Sequence, residues 1–256
     1  MASPTETITA LVLRRTKLGE SDVIVTLLTK DGSLRKAVAK GARKPTSSFA
    51  SRLELFSVAT LLLAQGRSLD IVKEARLIEG NSDLRSDFIL SSAASPLVEL
   101  LSKATFEDQP TPRLFDLAVR SLKSLGETHE NPLTITLAAL LKTLAFLGFR
   151  PTFQECIECG SALDLAHQGV QSLSYFDGGS VCSQCTPHHE TTLLDAQMLL
   201  WCHVLLYSTL DEVCTFQIPD QTLASAFRFV NEWINLHLGI RMRSITFLFK
   251  NILPMS

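Results

Sequence analysis

The chain has 256 residues, of which 46% are hydrophobic and 20% charged, a balance that excludes the polar, highly charged composition of a disordered chain and suggests two domains with room for a small insertion. No run of eighteen apolar residues occurs and residues 1–6 lack the basic-then-apolar pattern of a secretory leader, so a cytoplasmic protein without membrane contact is expected. The net charge of −2 divides unevenly: residues 1–80 hold thirteen Lys and Arg against eight Asp and Glu, a net +5, whereas residues 81–256 hold eleven against eighteen, a net −7. A basic first part points to an anionic partner, with a merely soluble surface as the alternative.

In chain order, the first elements are short runs rich in β-branched and apolar residues at 8–14, 22–29, 34–39, 55–64 and 71–77. Gly19, the pair Asp31-Gly32, Gly41 with Pro45, and Gln65-Gly66 separate them as turns. Five such strands within about 80 residues suit a small barrel, of the oligonucleotide-binding or the SH3-like kind. Helical spacing follows at 83–103, 111–125 and 132–149, where Leu133, Leu137, Leu140, Leu141, Leu144 and Leu147 mark a buried face. Residues 153–187 are rich in Gly, Ser and Asp and read as a loop-built module, after which helices resume at 193–208 and 223–238, the latter stopped by Gly239. The fold class is therefore α+β, with a barrel domain at 1–80 and a helical domain at 81–256 carrying an insertion at 153–187.

The barrel carries Arg14, Arg15, Lys17, Lys30, Arg35, Lys36, Lys40, Arg43, Lys44 and Arg52, opposed in that interval by Glu20, Asp22 and Asp31. Such a field attracts a phosphate backbone through counterion release. In the run from Lys40 to Pro45, Gly41 would let backbone N–H groups approach phosphate, although a solvated basic loop has the same composition. Phe49 and Phe56 are the only aromatic residues before position 80, so binding should rest on charge more than on stacking. Phe49, in a polar segment, is the candidate stacker and Phe56 a core residue.

Two identical knuckle spacings, Cys156-Ile157-Glu158-Cys159 and Cys182-Ser183-Gln184-Cys185, stand twenty-two residues apart. Each can present two thiolates to one ion, and the two pairs complete a tetrahedral Zn²⁺ site. A hairpin through 170–175 with a turn at Asp177-Gly178-Gly179 would fill the interval. Four thiolates leave no position for water, which makes the site structural rather than catalytic. His188, His189 and His167 are remoter ligand candidates; unrelated thiols or redox pairs are the alternatives for the cysteines, and Cys202 and Cys214 read as packed residues. Arg241 and Arg243, after Gly239, could receive a carboxylate or could snorkel at a helix end. No phosphate loop, dinucleotide turn, nucleophile elbow or His-Glu-x-x-His helix is present, so no enzymatic activity is expected.

The chain carries, in this order, Ala10-Leu11-Val12-Leu13 with Gly19-Glu20-Ser21-Asp22, Val25 to Gly32, Ala39 to Lys44, Leu147-Gly148-Phe149-Arg150-Pro151, and Leu238 to Ser244. Taken together, these stretches resemble the RecO family of bacterial recombination mediators. The resemblance implies an N-terminal oligonucleotide-binding (OB) barrel, a helical C-terminal domain and a zinc-finger-like insertion. It implies a nucleoid-associated DNA-repair protein that binds single- and double-stranded DNA and anneals complementary strands. It also implies action with RecR to help RecA displace single-strand-binding protein, whose acidic C-terminal tail the helical domain receives. At matching positions it assigns DNA contact to Arg14, Lys36, Lys40, Arg43 and Lys44 and metal binding to all four paired cysteines; no short motif matches the tail site, for which Arg241 and Arg243 are candidates by their charge alone. A zinc-ribbon scaffold for acidic protein partners, or a zinc-dependent hydrolase, are the competing classes.

Overall fold

The computed structural model describes residues 4–128 and 130–253. Its first five strands are β1 (Thr5–Leu18), β2 (Asp22–Thr29), β3 (Leu34–Ala39), β4 (Val58–Ala64) and β5 (Asp70–Glu79), and they close into a barrel in the order β1-β2-β3-β5-β4. All neighbours are antiparallel except β3 and β5. This five-stranded circuit is that of the OB barrel. β1 is long because it serves two partners, its first half pairing with β4 and its second with β2.

Alternation supplies the core. Ala10 and Val12 of β1, Val23, Val25 and Leu27 of β2, Ala37 and Ala39 of β3, Leu61 and Leu63 of β4, and Val72 of β5 form one interior cluster. Leu11 and Leu28 face each other across β1 and β2 on the opposite phase and are nevertheless buried, because α2 (Phe88–Ala104) packs against these two strands.

A helix over 83–103 was expected; the structure divides it into α1 (Ser82–Ser86) and α2. The division falls at Asp87, whose backbone is extended and whose carboxylate accepts the Leu90 N–H, so one residue ends α1 and caps α2. α3 (Pro112–Glu127) packs on α2. Just before α3, the Thr111 carbonyl presses on Gly32, where an added Cβ would overlap it and where φ is +85°. Only glycine suits that turn. The expected boundary at 80/81 marks the change from strand to helix, while the first compact unit runs through Met1–Glu127.

The second compact unit, Thr128–Ser256, holds α4 (Pro132–Phe146), β6 (Val170–Ser174), β7 (Gly179–Ser180), β8 (Thr192–Asp195), α5 (Ala196–Tyr207), α6 (Leu210–Val213), α7 (Asp220–Leu238) and α8 (Arg243–Asn251). α4 is buried on most sides because α5, α6 and α7 surround it. The Lys142 ammonium on α4 donates to the Leu206 and Ser208 carbonyls at 2.8 and 2.6 Å, covering the C-terminus of α5. The helix expected from 193 starts at Ala196: Thr192–Asp195 instead pairs with β6, and the Asp195 carboxylate accepts the Met198 N–H. A leucine-rich run alone does not distinguish strand from helix, and pairing with β6 decides it. Gly239, at φ +66°, terminates α7 as expected. No helix among the described residues is long and apolar enough to cross a membrane.

Candidate nucleic-acid interface and metal centre

The register of β1 against β2 slips between Val12 and Arg14, leaving Leu13 as a bulge. Unbroken alternation would point Arg14 inward with Ala10 and Val12; the slip turns it out instead. Arg14 then stands opposite Thr26, and Thr26 opposite Lys36, so two exposed cations lie in one row across β1, β2 and β3.

Beyond β3 the chain turns through Lys40, Gly41, Arg43 and Lys44. The Asp22 carboxylate accepts the Gly41 N–H at 2.8 Å and the Ser21 hydroxyl at 2.9 Å. These bonds, the Gly41 N–H foremost, hold Asp22 below the usual carboxylate range, so it anchors the turn as an anion. The Arg43 guanidinium donates to the carbonyls of Gly19 at 3.1 Å and Glu20 at 2.8 Å, tying this turn to the β1–β2 turn.

The candidate cations therefore divide. Arg14, Lys17, Lys36, Lys40 and Lys44 are exposed and make no salt bridge among the described residues. Arg15 pairs with Glu54. Arg35 bridges Glu6 and Glu107, both at 2.7 Å, and its charge is reinforced chiefly by the Glu107 hydrogen bond. Arg52 donates to the Ala75 carbonyl at 3.1 Å. Phe49 is half-buried against the barrel core, and Phe56 is fully buried, as expected. Arg241 and Arg243 are exposed on either side of buried Met242 in the second unit, with Arg243 the first residue of α8.

Three exposed cations were not singled out from sequence: Arg67 in the β4–β5 turn, and Lys73 and Arg76 on β5. Arg67 lines a hollow together with Arg35 and Lys36. Period-two alternation would have exposed Arg76. Lys73 could not be found this way, because it occupies a second bulge, where the β4–β5 register slips between Leu62 and Leu63.

In the second unit, the first cysteine knuckle closes by a bond from the Gly160 N–H to the Cys156 carbonyl at 2.9 Å, with Gly160 at φ +72°. The second closes by a bond from the Cys185 N–H to the Cys182 carbonyl at 3.1 Å. The expected hairpin is present as β6 and β7, and the Ile157 N–H donates to the Ser180 carbonyl at 3.0 Å, joining the first knuckle to β7. All four sulfurs lie within 4.8 Å of one another, with Cys159 and Cys182 at 3.7 Å. A tetrahedron of thiolates at about 2.3 Å from an ion requires sulfurs about 3.8 Å apart, so this donor set can hold a metal ion.

The local electrostatics favour thiolates unequally. Burial raises Cys156, but N–H groups of Cys159, Cys182 and Glu158 outweigh it and bring this thiol down to about 6. Cys182 is lowered first by the Cys185 N–H. Cys185 is pushed up by burial and then by the neighbouring sulfurs, since crowded thiolates repel. A divalent cation among them would remove that repulsion.

The histidines pair with carboxylates. His189 contacts Asp177 through Nδ1 at 2.7 Å and Glu158 through Nε2 at 2.9 Å, and His188 contacts Glu158 at 3.1 Å. This clasp joins the first knuckle, the β6–β7 turn and the segment after the second knuckle. His167 is engaged with Asp164 at 2.7 Å. His189 holds Glu158, which lies between the two cysteines of the first knuckle, so His189→Ala is expected to loosen that knuckle and weaken metal retention, read by competition with a chromogenic chelator. Cys202 is fully buried and Cys214 partly so.

Residues 1–81 match the family model described as Recombination protein O N terminal, and residues 85–245 match that described as Recombination protein O C terminal. Among curated proteins, the chain is 41% identical over 177 residues to the DNA repair protein RecO of Desulfitobacterium hafniense, a match covering 69% of this chain and 63% of that protein's length. It is 33% identical to the DNA repair protein RecO of Bifidobacterium adolescentis across 93% of this chain and 96% of the relative. A Thermoanaerobacter protein of the same name is 28% identical over 93% of this chain and 95% of its own length.

Proposed function

The chain belongs to the RecO family of DNA repair proteins, and on that premise we propose that its barrel binds single- and double-stranded DNA and brings complementary strands together. The observation that carries this reading is the set of exposed cations without salt bridges among the described residues, Arg14 and Lys36 in one row across β1–β3, Lys40 and Lys44 in the turn after β3 and Lys17 near the end of β1, on a barrel of the oligonucleotide-binding circuit. Phosphates neutralised by these side chains repel one another less, so two strands can approach and pair. The contacts are to the backbone, which gives little sequence preference.

No bond is made or broken in this mechanism. Zinc is the ion the four thiolates suit best, since soft sulfur donors in a tetrahedral set select it, iron–sulfur clusters being the other candidates. With four protein ligands its contribution is to hold the module's fold. The protein's setting would be the cytoplasmic nucleoid. Its partners would be RecR and the acidic tail of single-strand-binding protein, with Arg241 and Arg243 in the second unit offered to that tail's carboxylates, and RecA would replace the coating protein.

The test is annealing of complementary oligonucleotides coated with cognate single-strand-binding protein, with RecR present and absent. Annealing faster than the spontaneous rate, weakened by added salt, is expected. A chain that leaves the spontaneous rate unchanged, or that binds acidic peptides but no oligonucleotide, would overturn the reading.

A further inference from the structure

Between β3 and β1 the barrel closes through β5 and β4, and the outer surface there carries a second basic groove. Thr7 stands opposite Leu62, Thr60 opposite Arg76, and Leu62 opposite Glu74, all on one phase, while the intervening Ala59, Leu61 and Ala75 are buried. The bulge on β5 adds Lys73 to this surface, exposed beside Glu74. The segment before β4 crosses the same strands: the Arg52 N–H donates to the Phe49 carbonyl at 3.1 Å and its guanidinium to the Ala75 carbonyl at 3.1 Å. The result is an open groove of about 450 Å³ bordered by Phe49, Arg52, Lys73 and Arg76, with hydroxyls from Thr7, Ser48 and Thr60.

Three cations face one carboxylate, Glu74, in this groove. Lys73 and Arg76 make no salt bridge among the described residues, unlike Arg15 and Arg35. Structural pairing therefore does not account for them. Hydroxyls interleaved with cations suit phosphate and sugar, and a half-buried phenyl ring at the border suits an unpaired base. β3 and β5 are neighbours, with Ala37 against Asp70 and Val38 against Ile71, so the groove adjoins the strand that carries Lys36.

We propose that this groove is a second single-stranded DNA site, in which Arg52, Lys73 and Arg76 take phosphates and Phe49 stacks on a base, continuing the path of a strand held by the Arg14–Lys36 row. The inference rests on the reading of the barrel as a DNA-binding domain.

The experiment measures affinity for oligo(dT) of about 20 nucleotides against salt, for the full chain and variants whose melting is checked. Lys73→Gln with Arg76→Gln is expected to reduce the slope of log affinity on log salt by about 1.4, and to weaken binding roughly 25-fold at 0.1 M salt. These two residues are chosen because Arg52 also holds a backbone carbonyl. Glu74→Gln is expected to tighten binding. Phe49→Leu, which retains an apolar side chain against the core, is expected to lose about tenfold in affinity with the salt slope unchanged. A folded double variant with the slope of the parent overturns the groove, while Lys36→Gln then still losing affinity leaves the DNA-binding reading intact. A parent chain that binds no oligonucleotide overturns both.

Discussion

A chain carrying Lys36→Gln, Lys40→Gln and Lys44→Gln is expected to bind single-stranded DNA about 100-fold more weakly at 0.1 M salt while melting at the temperature of the parent. Each phosphate contact with a single strand contributes about 0.7 to the slope of log affinity on log salt, so three lost contacts reduce it by about two. Carried over one decade below 1 M salt, where counterion release contributes little, that slope is a factor of about 100. The three ammonium groups are exposed and make no salt bridge among the described residues, so removing their charge breaks no salt bridge that the structure shows. Arg43→Gln should behave otherwise. Its guanidinium holds the Gly19 and Glu20 carbonyls, so its loss should loosen the two turns as well as remove charge. Fluorescence-anisotropy titrations at several salt concentrations, beside thermal melts, check both. A triple variant with the parent's slope would remove these lysines from the interface.

The second large effect is expected at the four-cysteine site, for which zinc is the proposed ion. Cys156→Ser or Cys182→Ser should abolish stoichiometric binding of added zinc and the tetrahedral thiolate absorption that added cobalt would give. Amide protection should then fall across the two knuckles and β6–β7 and persist in the barrel. The module has a small apolar cluster, composed of Cys156, Val181 and Cys185 with Ile157 and Cys182 against it, so the ligands themselves form much of its interior. In such metal-built modules the free energy of ion binding is largely the free energy of folding. Elemental analysis and hydrogen exchange of the full chain check this. Unchanged protection in a zinc-free variant would mean that the hairpin and the His189 clasp suffice to order the module.

Much of this was legible from residue order because it depends on neighbours in sequence. The five β-rich runs with their turns, the paired knuckle spacings and the Gly239 stop are local signals and all recur in the structure, although the first strand runs longer than read, over Thr5–Leu18, and the fourth begins at Val58 rather than at 55. The family resemblance, carried by short stretches such as Leu147 to Pro151, is borne out by matches over residues 1–81 and 85–245. Where periodicity was the sole signal, it erred at the edges. Residues 192–195 became a strand because β6 offered a partner, and Asp87 divided a helix that apolar spacing alone would continue.

Sequence by itself determined the strand count, the sulfur donor set and the excess of positive charge in the first part, since composition and spacing along a chain suffice for these. Only the tertiary structure decided which cations are available. One bulge turns Arg14 outward, another exposes Lys73, Glu54 engages Arg15, and Glu6 with Glu107 holds Arg35. The physical reason is that a charge's availability depends on what lies within a few ångströms of it. In a closed barrel those neighbours come from remote strands, and a single-residue slip in register reverses which face a side chain occupies.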